Sequence, residues 1–375
     1  MKTVNFAIVG GGLMGREFAS AAARWCHLNG NIPRPNIIAV ADPNTDALKW
    51  FQEKVSSITH CVSDYKDLLK IEEIEAVYCA VPHVMHEKVY CDVINAGKHL
   101  FGEKPFGMDK AQNDAIIAAI ERNPNVFVRC SSQFPFFPAC LELIRWIQGG
   151  RLGRVIELRA GFYHSSDLDI AKPNNWKRVI ETNGEYGCMG DLGIHTQHVP
   201  FRLGFVPKQV YAQLSNHVKE RPDGKGGVAP CLTWDNATLV CEAEKDGETI
   251  PMILETKRMA PGCTNSWVLE VDGLDTSIKF SSDDPNGFMY TQAVGKEQAW
   301  CRINIGSKPQ FPTITGSIFE FGFSDAILQM WAAFMTELSG KTAEFGCFRP
   351  EETILSHELQ TAALQSAQSK SAVSI

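Results

Sequence analysis

No run of apolar residues in this 375-residue chain approaches the ~20 that a membrane-spanning helix requires. The opening stretch, Met1 to Val9, is too short for a signal peptide and runs straight into glycines, so it reads as a strand. A surplus of basic charge is also missing. Lysine and arginine number 36 against 43 aspartates and glutamates, a net charge of −7, which argues against a nucleic-acid or anionic-membrane binder. The 12 cysteines form no Cys-x-x-Cys pair. Several, such as Cys79 and Cys241, fall inside apolar strand patterns, which favours buried, reduced thiols in a cytoplasmic protein. Repeats and low-complexity segments are absent.

What remains is a composition suited to a globular protein, 44% hydrophobic and 21% charged, in a chain too long for one ordinary core. Two domains are expected, 1–130 and 131–375. The apolar strand Val4 to Val9 leads into Gly10-Gly11-Gly12-Leu13-Met14-Gly15, and Arg16 to Ala23 reads as a helix. Glycine-x-glycine-x-x-glycine between a strand and a helix is a dinucleotide fingerprint. Gly10 permits the tight turn, Gly12 lets the backbone approach a pyrophosphate, and Gly15 lets helix and strand pack. Leu13 and Met14 open the helix whose N-terminus faces the phosphates. A second strand, Asn36 to Ala41, ends at Asp42. A carboxylate there accepts ribose hydroxyls and repels a 2′-phosphate, so NAD is expected over NADP. The spacing from the glycines is long, and Trp25 to Pro35 reads as an insertion after the first helix. An N-cap for the helix starting near Thr45 is the other role open to Asp42.

Strand and helix then alternate through Ile58–Val62, Ile74–Val81 and Lys98–Gly102 to Asn125–Cys130, which argues for an open parallel sheet with ligand at the strand C-termini. Pro82-His83, with His86 just beyond, and Glu103-Lys104-Pro105 both fall on that edge. A buried strand ending in Glu-Lys-Pro makes little sense for stability, because proline stops the ladder and lysine is seldom buried alone. Lys104 is therefore the expected meeting point of cofactor and substrate.

Three features occur in order: the glycine fingerprint, Glu103-Lys104-Pro105 beginning 88 residues after Gly15, and Gly190-Asp191-Leu192-Gly193-Ile194-His195. Together they resemble the glucose–fructose oxidoreductase / inositol 2-dehydrogenase / rhizopine catabolism (Gfo/Idh/MocA) family over roughly residues 3 to 340. The resemblance implies a Rossmann domain followed by an α/β domain with a large, mostly antiparallel open sheet. It also implies a homodimer or homotetramer through that sheet. By the same resemblance Lys104 contacts substrate hydroxyls near the nicotinamide, and Asp191 and His195 form the substrate-site pair. Pro82, His83, His86 and Glu103 border the cofactor, and Gln133 lies toward the substrate. His83, His198 and the Ser132–Phe136 stretch depart from the family pattern, which bears on substrate rather than chemistry.

In the second half, a polar loop from His164 to Arg178 falls over the substrate pocket by the resemblance. Trp176 suits stacking on a sugar ring or pinning the loop to the core; Lys177 and Arg178 suit hydroxyls, an anionic group or plain solvation, with solvation ahead for Lys177. Asp191, His195 and His198 fall on one face of a helix starting near Asp191. Metal ligation by all three competes with acid–base work by His195 oriented by Asp191 and close to Lys104. A structural reading has Asp191 as N-cap and His198 as a satisfied core residue, and it is preferred for His198. No metal is expected. Strands are expected at 210–217, 232–244, 249–258, 267–271, 276–280 and, starting at Val294, up to Ile303. The 220–227 stretch reads as a mobile loop, 323–338 and 350–367 as helices, and the last residues as a frayed tail.

The leading functional expectation is hydride transfer between a secondary carbinol of a sugar or polyol and NAD, with His195 as base and Lys104 steadying the developing alkoxide. Two alternatives stay open. One is an NAD-dependent glycosidase cycling through ring oxidation, elimination, hydration and re-reduction, to which the Tyr186–Met189 lead-in and an anionic glycoside are suited. The other is a non-catalytic nucleotide sensor.

Overall fold

A computed structural model describes residues 2–292 and 296–375. The first strands are short apolar runs bounded by glycine, proline or acid, and they pair in parallel. They are β1 (Thr3–Val9), β2 (Arg34–Ala41), β3 (His60–Val62), β4 (Ala76–Cys79), β5 (His99–Gly102) and β6 (Val128–Cys130), in the spatial order β3-β2-β1-β4-β5-β6. The order reverses at β1, so a crevice opens between the ends of β1 and β4, where open α/β sheets take ligands. The intervening helices are α1 (Leu13–Ala23), α2 (Thr45–Lys54), α3 (Tyr65–Leu69), α4 (His86–Asn95) and α5 (Lys110–Arg122).

The later elements are α6 (Pro138–Gln148), β7 (Val155–Tyr163), α7 (Ile180–Asn183), α8 (Cys188–Arg202), β8 (Val206–Ser215), β9 (Glu220–Pro222), β10 (Val228–Pro230), β11 (Asn236–Lys245), β12 (Glu248–Lys257), β13 (Ser266–Gly273), β14 (Thr276–Ser281), β15 (Gly287–Gln292), β16 (Cys301–Asn304), α9 (Phe323–Leu338), α10 (Pro350–Ser369) and β17 (Val373–Ser374). Nine of these strands form one sheet, ordered β16-β15-β14-β13-β7-β12-β11-β8-β17. Only β7 and β12 run parallel; every other neighbouring pair is antiparallel. Side chains alternate along the strands, as in the buried/open pattern of β11, and α8 packs against β7, β11 and β12. One face is therefore core and the other open.

Several expectations are corrected. The chain does not divide once near residue 130. One compact unit comprises Met1–Gly107, Ala111–Phe136 and Lys308–Pro350; the other comprises Met108–Lys110, Phe137–Ser307 and Glu351–Ile375. α9 thus belongs with the Rossmann sheet. Its Trp331 and Phe334 join Phe6, Phe18, Tyr78 and Phe101 in one aromatic core, with Phe101 stacked on Phe334 at 4.4 Å. The expected insertion at 25–35 ties into the same returning segment, through a Leu28–Thr313 bridge and a bond from Asn29 N to the Pro312 carbonyl. The tail does not fray, because Val373 and Ser374 pair with Val210 and Gln209 as the sheet's last strand. The stretch expected as a mobile loop at 220–227 begins as β9, and 223–227 is the exposed connection from β9 to its antiparallel partner β10. The start of the strand expected from Val294 lies outside the described residues, and its far end is β16. Finally, α8 begins three residues before Asp191, with Gly187 as N-cap, so the N-cap role for Asp191 is withdrawn.

Candidate active site

The glycine turn has the three properties its motif requires. Gly10 adopts φ +100°, and a Cβ there would collide with the Ala80 carbonyl. A Cβ on Gly15 would strike the Gly10 carbonyl, so helix and turn touch through bare backbone. A Cβ on Gly12 would meet nothing within 4 Å, which leaves open space at the position where a pyrophosphate must approach. Gly12 is the N-cap of α1 and offers no side-chain cap, so the helix's first N–H groups are left for an anion. Leu13 is 77% exposed beside them, and Met14 is half-buried.

Asp42 follows β2 and braces this turn. Its Oδ2 accepts from Gly11 N at 2.7 Å and its Oδ1 from Asn44 N at 2.8 Å. Asn44, not Asp42, caps α2 by accepting from Asp46 N. Each carboxylate oxygen accepts more than one hydrogen bond, so bracing the turn leaves capacity for ribose hydroxyls. The residues present therefore fit a dinucleotide.

At the same strand-end edge β1, β4 and β5 stop in register, Val9 opposite Cys79 and Cys79 opposite Gly102. The residues that follow β5 are Glu103 and Lys104, and the Lys104–Pro105 peptide is cis. Glu103 is buried, its Oε1 accepting from Tyr78 OH at 2.7 Å and its backbone carbonyl from Tyr90 OH at 2.5 Å. Burial first, and then the Glu103 charge, push the Tyr78 hydroxyl well above its usual pKa, so it stays a donor. Glu103 is thus a pedestal for half-buried Lys104 rather than a cofactor ligand, a correction to its expected role.

His86 is corrected likewise. It is fully buried, with Nδ1 2.6 Å from the Pro105 carbonyl and Nε2 2.9 Å from the Val81 carbonyl. It stitches the end of β4 to the chain after Lys104, and burial holds its pKa below the usual histidine range. Pro82 is exposed on the same edge, whereas His83 is buried with its ring 5.4 Å from that of His86. Gln133 is buried just beyond β6 in the same unit.

In the second unit the charges are arranged differently from expectation. Trp176 is 37% exposed. Lys177 is not a solvated cation: its Nζ lies 2.9 and 3.2 Å from the two oxygens of Asp191. Arg178 is the next residue on the same 3-10 turn. It is 2% exposed and paired with Asp167, so it is withdrawn from the substrate-contacting set. Sequence reasoning missed Arg258, at the end of β12. Its Nη2 lies 3.1 Å from Asp191 Oδ2 and its Nη1 3.1 Å from the Lys177 carbonyl. The Lys257-Arg258 pair at a strand end was the only available signal.

His195, one turn after Asp191, is buried edge-on to Phe162 at 5.1 Å, and its carbonyl accepts from Trp267 Nε1 at 2.8 Å. His198 is wholly buried. Tyr186 is buried with its hydroxyl 2.7 Å from Thr361 Oγ1 and its pKa pushed up to about 12 by burial, so it serves the core rather than elimination chemistry. Among the described residues no group of three or more His, Cys, Asp or Glu side chains is arranged to hold a metal ion.

A dinucleotide cradle with a lysine mounted at its open edge defines an NAD-binding oxidoreductase. More narrowly, the chain belongs to the Gfo/Idh/MocA oxidoreductase family. Residues 4–130 match its "Oxidoreductase family, NAD-binding Rossmann fold" pattern and residues 140–278 its C-terminal domain. Levoglucosan dehydrogenase of Pseudarthrobacter phenanthrenivorans is 25% identical over 296 residues, 75% of this chain and 74% of that one. The Bacillus subtilis scyllo-inositol 2-dehydrogenase (NADP(+)) IolU is 25% identical over 267 residues, 68% of this chain and 76% of that one. A solved levoglucosan dehydrogenase in complex with NADH and levoglucosan superposes with a TM-score of 0.88 at 20% identity, over the full length of both chains. At that identity the superposition speaks for the fold.

Proposed function

We propose that the protein oxidises or reduces a secondary hydroxyl of a sugar or polyol, with NAD as hydride acceptor or donor. The carrying observation is Lys104, raised on the Tyr78–Glu103–Tyr90 pedestal at the strand-end edge where the glycine turn opens. That two relatives are named for levoglucosan and scyllo-inositol supports a polyhydroxylated ring as substrate. Bound NAD would supply the redox chemistry, held by the Gly10–Gly15 turn and Asp42. Lys104 binds the reacting hydroxyl and stabilises negative charge on its oxygen as the proton leaves. His195 accepts that proton, and Asp191 fixes the polar surroundings of the same helix face.

Replacing Lys104 by alanine should abolish NADH formation with every sugar that the wild type oxidises, while NAD affinity measured by fluorescence stays within about threefold, under ~1 kcal/mol. Near-normal turnover in Lys104→Ala would remove it from the mechanism.

The open face of the nine-stranded sheet carries Tyr211 and Val240, each 47% exposed and directly cross-strand, which supports a homodimer or homotetramer through that face. Light scattering should give a multiple of the 41.5 kDa chain that falls to one copy in Tyr211→Glu. Twelve free cysteines, most of them buried, favour a reducing compartment, the cytoplasm, which cell fractionation would test.

A further inference from the structure

We infer that the cofactor site takes NADP as well as NAD, with Arg16 as the residue that receives the 2′-phosphate. The inference concerns the dinucleotide alone and stands apart from the choice of sugar. It starts from two charges placed on either side of one glycine. Asp42 Oδ2 accepts from Gly11 N at 2.7 Å, and Arg16 Nε donates to the Gly11 carbonyl at 3.2 Å. An acid at the end of the second strand favours the free ribose of NAD, whereas a nearby arginine accommodates the 2′-phosphate of NADP. This turn carries both.

Arg16 is the fourth residue of α1, close to the helix N-terminus. A cation there works against the helix dipole, so α1 itself gains nothing from it. Nor does Arg16 complete an ion pair. Among the described residues its contacts are the Gly11 carbonyl and the Trp50 ring, whose centroid is 5.3 Å from the guanidinium carbon. Both hold the half-buried side chain in place without neutralising it. Trp50 lies on α2, the helix that follows Asp42, so the cation is kept toward the ribose end of the turn. The bond at Nε leaves the two Nη groups, a planar fork that matches the oxygens of a phosphate.

Asp42 does not close the site to that phosphate. Its two oxygens are turned onto the Gly11 and Asn44 N–H groups, which favour the carboxylate and offset part of its field. Pro43, Asn44 and Thr45 beyond it are exposed, and a Cβ on Gly12 would meet nothing within 4 Å, so there is room for the added group. One cation and one anion at comparable distances act on a phosphate with equal and opposite sign. The repulsion that makes a lone acid selective for NAD is therefore largely cancelled here.

The test is calorimetric titration of the full chain, freed of bound dinucleotide, with NAD, NADP, AMP and adenosine 2′,5′-bisphosphate. Wild type should bind NADP no more than about tenfold more weakly than NAD, and AMP and the bisphosphate should show the same small ratio without a nicotinamide. Arg16→Met should widen both ratios at least about tenfold, with NAD bound within about threefold of wild type. Arg16→Lys, which keeps the charge but loses the fork, should fall between. A stronger wild-type preference for NAD overturns the inference, and that comparison needs no variant to fold. An unchanged ratio in Arg16→Met overturns it as well. Equal weakening of NAD and NADP does the same, and assigns Arg16 to the pyrophosphate or adenine that both share. No sugar enters the measurement, so its failure leaves the dehydrogenase reading standing.

Discussion

At the scale of single residues, the cofactor half of the site is written in local chemistry, which is why it was legible. A glycine is needed where a Cβ would meet backbone, as at Gly10 and Gly15, and where a ligand's phosphates must come close, as at Gly12. Three such positions at this spacing, set between a strand and a helix, point to a dinucleotide turn and to little else. Asp42 was legible for a similar reason, as an acid closing the second strand. The structure adds that it also holds the Gly11 and Asn44 N–H groups. Replacing Asp42 by alanine should therefore act twice, losing the ribose acceptor and loosening the turn. NAD binding should weaken at least ~10-fold, about 1.4 kcal/mol, while NADP, which no longer meets a carboxylate, loses less. Titration of both cofactors checks this, and an unchanged NAD/NADP ratio would show that the carboxylate faces no ribose. The charged residues of the second unit were less legible. Lys177 and Arg178 are adjacent and alike in sequence, yet one reaches Asp191 and the other is buried on Asp167. Which side of a 3-10 turn faces inward depends on partners well away along the chain, such as Asp167 and Asp191, and no local pattern encodes them.

At the scale of elements, periodicity placed most strands and helices within a few residues, because their burial alternates in the way that composition suggests. Periodicity failed where a segment is held by long-range backbone bonds. The β9–β10 ribbon reads as a glycine-rich loop, but Arg221 reaches from it to three carbonyls of the 164–178 loop, and Asn174 returns bonds to the Pro222 and Pro230 carbonyls. The ribbon is thus a strap over the segment that presents Trp176 and Lys177. Arg221→Met should raise hydrogen exchange across 165–174 at least ~10-fold, since bonds from a charged donor to carbonyls are worth about 1.5–3 kcal/mol each. Because the change also removes a buried charge that lacks a carboxylate, the melting temperature should move by only a few degrees. A large fall in melting temperature with unchanged local exchange would show that Arg221 supports the core rather than the loop.

At the scale of the whole molecule, the division between the two units is the feature that reading along the chain conceals. Periodicity identifies α9 as an apolar helix, and its bounds agree with expectation, but nothing in a helix's own sequence says which sheet it covers. The answer lies in aromatic partners far upstream in the chain. Trp331 and Phe334 complete the core that Phe6, Phe18, Tyr78 and Phe101 begin, and Arg129 pairs with Glu337 at 3.3 Å. Phe18 lies in α1, the helix whose N-terminus would hold the pyrophosphate, and Tyr78 holds Glu103 beneath Lys104. The returning segment is therefore part of the nucleotide-binding unit in energetic as well as spatial sense. A ligand that binds only the folded unit stabilises all of it together, by about 2.7 kcal/mol at 100 times its Kd. Saturating NAD should accordingly slow amide exchange in α9 by a factor close to that seen in β1 and β4, and should slow β11 and β12 less. Mass spectrometric exchange with and without NAD distinguishes the two groups of peptides directly. If α9 instead followed β11 and β12, the aromatic cluster would not be the cooperative core of the nucleotide-binding unit, and the chain would divide in solution as a reading along its length suggests.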